Sequence, residues 1–192
     1  MKIAPLIAVA PILIGLAAGG PAFAQDALTL TSPEIASGAA LPGDLKCSRD
    51  NGDGVSPPLA WTNVPEATQS LALIMFHYPK GTVEGVNPPS QYWLLWNIPP
   101  NTTAMPRGNP ASVGDEGSDK DGNATGYTPP CSPKPWFSFS SKPEHEYFIE
   151  LFALSAPLET LPSHDDLSVN WAALTTAMAG KVIASSRLSF WN

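Results

Sequence analysis

The chain has 192 residues, 22 of them proline and 15 glycine, with 43% hydrophobic residues and a formal net charge of −7 at pH 7. An acidic balance of this size argues against binding DNA, RNA or anionic lipid surfaces by bulk charge, and a chain of this length holds one domain with a real core. So much proline and glycine cuts the sequence into short segments and disfavours long helices.

The first segment predicts a removable leader. Lys2 supplies a positive charge, an apolar run from Ile3 to Ala18 is interrupted by Pro5 and Pro11, and Ala22-Phe23-Ala24 is a small-x-small cleavage signature. The reading is a secretory signal peptide over residues 1–24, cleaved between Ala24 and Gln25, followed by one domain over residues 25–192. The run is short and proline-broken for a membrane span, and no later segment is apolar and long enough to cross a bilayer. The expected location is the periplasm or the exterior. Loss of Lys2 leaves the mature chain one unit more acidic.

Strand-like runs follow at Ala27–Thr31, Ser70–Phe76, Tyr92–Ile98, Tyr147–Leu154 and Lys181–Phe190. Leu71–Phe76 and Tyr92–Ile98 are almost continuously apolar and predict central strands covered on both faces. In the last run Val182, Ala184, Leu188 and Phe190 recur at period two and predict one buried face. One helix is expected, capped by Asn170 or Ser168, with Trp171, Leu174 and Met178 as its apolar stripe and Gly180 as its stop. Together these predict a mostly-β domain, a sandwich with small peripheral helices. Gly108–Gly126 carries Asp115, Glu116, Asp119 and Asp121 among Gly, Ser and Asn and reads as a solvated surface loop.

Most familiar chemistry is missing. Asp50-Asn51-Gly52-Asp53-Gly54 looks like a calcium loop, but the EF-hand register puts Arg49 first and Ala60 last; the acidic loop likewise gives Gly117 and Thr128. Both read as turns. There is no Gly-x-Ser-x-Gly elbow, His-Glu-x-x-His pair or phosphate-binding loop. His77, His145 and His164 sit in three separate segments, so no metal site is expected. Cys47 and Cys131 are, in an oxidising compartment, most simply a disulfide, with free thiols or a metal site as the alternatives. One region suggests a ligand site. The stiff turn Gly126-Tyr127-Thr128-Pro129-Pro130-Cys131-Ser132-Pro133-Lys134 is followed by His145-Glu146-Tyr147 at the head of a strand. Tyr127, His145 and Tyr147 either line a small pocket or pack as half-buried aromatics at a sheet edge.

At these residues the chain resembles the phosphatidylethanolamine-binding protein family, and most of all its bacterial Raf-kinase-inhibitor-like branch. Leu28–Pro33 resembles the opening strand of that family, and Asp53-Gly54-Val55-Ser56-Pro57-Pro58-Leu59-Ala60-Trp61 with Val64-Pro65 matches a characteristic segment. Trp93–Pro99 is similar to the strand ending in Asn-Ile-Pro, Gly126–Lys134 to the Gly-Tyr-x-Gly-Pro-Cys-Pro-Pro turn, and His145–Leu154 to the His-Arg-Tyr strand. Ala177–Val182 resembles the end of the family's helix. The resemblance implies an antiparallel β-sandwich of Greek-key type with a small pocket at one end for phosphate-like or carboxylate anions. Family members with both matching cysteines are exported, which supports the disulfide.

The pocket departs from the family pattern. The family's Asp-Pro-Asp-Ala-Pro becomes Met75-Phe76-His77-Tyr78-Pro79, Tyr92 stands where a histidine is expected, and one turn proline becomes Ser132. The resemblance thus implies a pocket of Met75, His77, Tyr92, Tyr127, His145 and Tyr147, more apolar and less hydrated than the family's. A protonated His77 would attract an anion better than the acid it replaces. The expected function is that of an exported binding or regulatory protein with a small, degenerate anion or phospho-headgroup pocket, and with no catalytic residue, cofactor or metal. The rival expectation is a protein partner, or an inhibitory role, through the Lys80–Ser90 and Gly108–Gly126 loops.

Overall fold

The computed structural model describes residues 26–132 and 145–192; the expected leader, and Pro133 and Lys134 of the turn, lie outside them. Its strands are β1 (Thr29–Thr31), β2 (Ala39–Ala40), β3 (Leu59–Thr62), β4 (Ser70–His77), β5 (Ser90–Ile98), β6 (Ala104–Met105), β7 (Asp115–Glu116), β8 (Glu146–Leu154) and β9 (Val182–Trp191), with helix α1 (Trp171–Met178) between the last two. They form a three-stranded sheet, β1-β3-β6, and a six-stranded sheet, β2-β9-β8-β4-β5-β7. The order β8-β4-β5-β7 is a Greek-key arrangement, with β6 detouring to the smaller sheet. All pairings are antiparallel except β2 with β9, which is parallel.

The continuous apolar runs become the centre of the large sheet because both of its faces are covered. Leu71, Leu73, Met75, Trp93, Leu95, Ile149 and Leu151 point between the sheets onto Leu30, Leu59, Trp61 and Met105. Ala72, Ile74, Phe76, Leu94 and Trp96 point the other way onto Val169, Leu174, Ala177 and Met178. Burying each large aliphatic side chain contributes about 1.5–3 kcal/mol, so two cores on one sheet offset the weak local propensities of short strands. The α1 cap is Asn170, whose Oδ1 accepts the Ala173 N–H at 3.0 Å, and Gly180 follows the helix at φ +73°. Among the described residues no helix is long and apolar enough to cross a membrane.

Two expectations need correction. Val182 is 45% exposed, because the register with β8 shifts between Ala153 and Leu154 and ends the period-two pattern at Ala184. The Gly108–Gly126 segment is built into the fold: β7 pairs with β5, Gly117 and Ser118 are buried, and the Glu116 carboxylate accepts the Trp93 indole N–H at 2.8 Å. A Cβ on Gly117 would run into the Val169 carbonyl and lie 3.0 Å from Leu94 Cβ, so glycine is what allows this segment to close on the sheet.

Candidate functional site

A row of rings crosses one end of the large sheet. Tyr147 on β8 pairs with Phe190 on β9 and with His77 on β4, all on the face between the sheets. Tyr147 stacks on Phe190 at 5.4 Å and 6°, and His77 lies 4.8 Å from Tyr147 at 33°. Tyr92 joins them by a backbone irregularity. Met75 pairs with Trp93 but Phe76 pairs with Gln91, so Tyr92 is the extra residue of a bulge and points to the same side as Trp93. Its ring is 5.3 Å from His77 and 5.1 Å from Tyr147, and the two tyrosine hydroxyls are 3.5 Å apart. His145, one residue before β8, brings its ring to 5.4 Å from His77. It is fixed by reciprocal backbone hydrogen bonds with Asn192, at 3.1 and 3.0 Å.

The structure therefore brings together His77, Tyr92, His145 and Tyr147, and adds Phe190. It does not bring in Met75 or Tyr127. Met75 shares a face with His77 but lies two residues deeper along β4 and is fully buried between Trp93 and Ile149. Tyr127 packs edge-on against Trp93 at 5.5 Å and lines a small cleft of about 210 Å³ with Gly54, Val55, Ser56 and Glu116. His164 is exposed and pairs with Asp166 at 3.7 Å, apart from the other two histidines. Among the described residues no three His, Cys, Asp or Glu side chains are grouped to hold a metal ion.

Electrostatics distinguishes His77 from its neighbours. It is 7% exposed and its Nδ1 has no hydrogen-bond partner. Burial above all, then the nearby His145 and Lys120, pushes its pKa from 6.5 down to about 4. His77 is thus neutral at pH 7, and the attraction that a protonated imidazole would offer an anion is absent there. Burial also raises Tyr92 and Tyr147, the former further through its hydrogen bond with Tyr147, so both stay as neutral phenols. An orphaned imidazole nitrogen beside two phenol hydroxyls is equipped to hydrogen-bond a small polar group. Among the described residues no carboxylate is paired with it to orient a proton, as a general base would need.

The proline-rich turn frames this end of the sheet. Thr128 N–H donates to the Tyr92 carbonyl at 2.7 Å, and Cys47 N–H to the Pro130 carbonyl at 2.9 Å. Cys47 and Cys131 form a disulfide with Cα atoms 5.2 Å apart. Ser132 Oγ lies 3.5 Å from Asn192 Oδ1, and Asn192 is buried with its Nδ2 unpartnered. Pro129 and Pro130 offer no N–H, so this turn supplies fewer backbone donors than a glycine-containing one. On the opposite face of the sheet His145 also lines a cleft of about 650 Å³ with Tyr78, Glu84, Glu146, Phe148 and Trp191. Phe190, Lys120 and Asn192 were not legible as part of this group. Phe190 alone carried a signal, since antiparallel registry of the last two strands places it opposite Tyr147.

The sequence model of a family described as phosphatidylethanolamine-binding protein matches residues 31–191. A protein of Methanothermobacter thermautotrophicus named UPF0098 protein is 31% identical over 77% of this chain and 87% of its own. The crystal structure of CT736 from Chlamydia trachomatis, titled as a homolog of the same family, superposes with a TM-score of 0.68 at 28% identity, covering 86% of this chain and 97% of that one. A Mycobacterium tuberculosis protein described as the lipoprotein LppC is 28% identical over 74% of this chain and 63% of its own.

Proposed function

Since the chain belongs to the phosphatidylethanolamine-binding protein family, we propose that it is an exported binding protein with a reduced family pocket for a small anion or phospho-headgroup. The pocket is formed by His77, Tyr92, His145 and Tyr147. The observation that carries this reading is the buried, neutral His77, whose Nδ1 has no partner, set beside the Tyr92–Tyr147 hydroxyl pair. An unpaired buried polar atom costs about 1–3 kcal/mol, a cost that a ligand hydrogen bond would offset. Because His77 is uncharged, recognition there rests on hydrogen bonds, and the protein binds without performing chemistry. Export is supported by the disulfide and by the resemblance to a protein described as a lipoprotein. Cleavage after Ala24, leaving one domain over residues 25–192, completes the reading.

Calorimetry with phosphate, phosphoethanolamine and acetate tests it. Saturable binding of at least one anion is expected, weakened about tenfold when Tyr92→Phe and Tyr147→Phe together remove both hydroxyl donors. No heat and no thermal stabilisation with any of the three would end the anion reading. A second reading, a protein contact through Lys80–Ser90, is favoured by Val83 and Val86, 58% and 77% exposed on that loop. Equal recovery of partners from periplasmic extract by wild type and a loop-shortened variant would reject it.

A further inference from the structure

His77, Tyr92 and Tyr147 are uncharged at pH 7, so an anion placed among them is favoured by a nearby countercharge. The segment expected to be a solvated loop supplies a candidate. Residues 118–128 are held over this end of the sheet by a set of specific contacts. Gln91 Nε2 donates to the Ser118 carbonyl and hydroxyl at 2.9 and 2.6 Å, while its Oε1 accepts the Trp171 N–H at 2.6 Å. Asp119 Oδ1 accepts the N–H groups of Asp121 and Asn123, at 3.2 and 2.9 Å. Lys120 N–H donates to Thr128 Oγ1 at 3.0 Å, and Thr128 N–H donates to the Tyr92 carbonyl. One strand residue, Gln91, thus ties the loop to β5 and to the start of α1. The bulge that turns Tyr92 inward also fixes the residue facing Lys120.

The outcome is a cation aimed at the ring group. Lys120 Nζ lies 5.9 Å from the Tyr92 ring centroid, and its charge is one of the influences that keep His77 neutral. The same Nζ is paired with Asp121 Oδ1 at 3.0 Å, with the two side chains 37% and 65% exposed. An exposed pair of this kind is weak and exchanges partners readily.

Resting on the pocket reading above, we infer that Lys120 is the anion-binding cation of the site, and that the Asp121 carboxylate occupies it in the unliganded protein and competes with the ligand. An incoming phosphate-like anion takes the place of the Asp121 carboxylate on Nζ while Tyr92 and Tyr147 donate to its other oxygens. Selectivity then follows from charge. A dianionic phosphate displaces a monoanionic carboxylate more readily than acetate does.

Inorganic phosphate titrated into wild type, K120Q, K120R and D121N separates the possibilities. Lys120→Gln is expected to weaken phosphate binding about tenfold and to flatten its salt dependence. Lys120→Arg keeps affinity within about threefold, since a guanidinium also serves oxyanions. Asp121→Asn strengthens binding about threefold by removing the competitor. Phosphate that binds wild type and K120Q equally would overturn the role of Lys120 and leave the pocket standing. Weaker binding by D121N would overturn the competition. Wild type that binds no phosphate overturns the inference together with the reading beneath it.

Discussion

Replacing His77 by Leu should make the protein more stable at neutral pH and far less sensitive to acid. The side chains are close in volume, and the position is buried between Tyr92, His145 and Tyr147. At pH 7 the substitution removes an unpartnered Nδ1, which predicts a gain of about 1 kcal/mol. The acid effect follows from linkage. In the unfolded chain His77 takes up its proton as pH falls through 6.5, whereas in the folded protein it stays neutral until about 4. The unfolded state therefore binds more protons across that window. Stability from this group is complete above pH 6.5 and is lost as pH falls towards 4, at about 1.4 kcal/mol per unit. Between pH 7 and 4.5 the wild type should lose about 2 kcal/mol more than H77L, because carboxylate contributions are common to both proteins. Urea unfolding of the disulfide-intact proteins at the two pH values measures that double difference. Equal acid sensitivity in wild type and H77L, or a loss of more than about 1 kcal/mol at pH 7, would refute the buried, neutral, unpartnered imidazole.

Two further outcomes follow from the framework around the site. Cys47 and Cys131 are 84 residues apart in sequence, so replacing both by Ser should cost about 4–5 kcal/mol by loop-closure entropy, read as a lower urea midpoint matched by wild type under reductant. Gly117→Ala should destabilise by about 1–3 kcal/mol, since its Cβ would meet the Val169 carbonyl and Leu94; a thermal midpoint equal to wild type would show that β7 does not hold the segment against the sheet.

What could be read from the sequence divides along physical lines. The centre of the large sheet was legible because Leu71–Phe76 and Tyr92–Ile98 are apolar without alternation, as strands with two covered faces must be. Helix α1 was legible because Asn170 and Gly180 mark its ends by local chemistry. Strands β2, β6 and β7 were not, since two residues cannot display a period and their pairing is decided by tertiary contacts. The site was half legible. His145 and Tyr147 stood out as polar aromatics at a strand head, and His77 and Tyr92 came through the family resemblance. The resemblance also implies Met75, yet two residues along a strand move a side chain about 7 Å deeper, here into the closed core. Tyr127 was placed with them for its position in the turn, and packing against Trp93 drew it to another cleft. Lys120 looked like one more charge in an acidic loop, because Gln91 is 29 residues away and nothing local announces that it holds the loop down.

The most direct test of the account is a phosphate titration followed by NMR of the protein with labelled His and Tyr side chains. The ring signals of His77, Tyr92 and Tyr147 should shift together along one saturable curve, with His164 unmoved as an internal control. Shifts confined to His164 and other exposed groups, or a linear drift without saturation, would contradict a binding pocket at this end of the sheet.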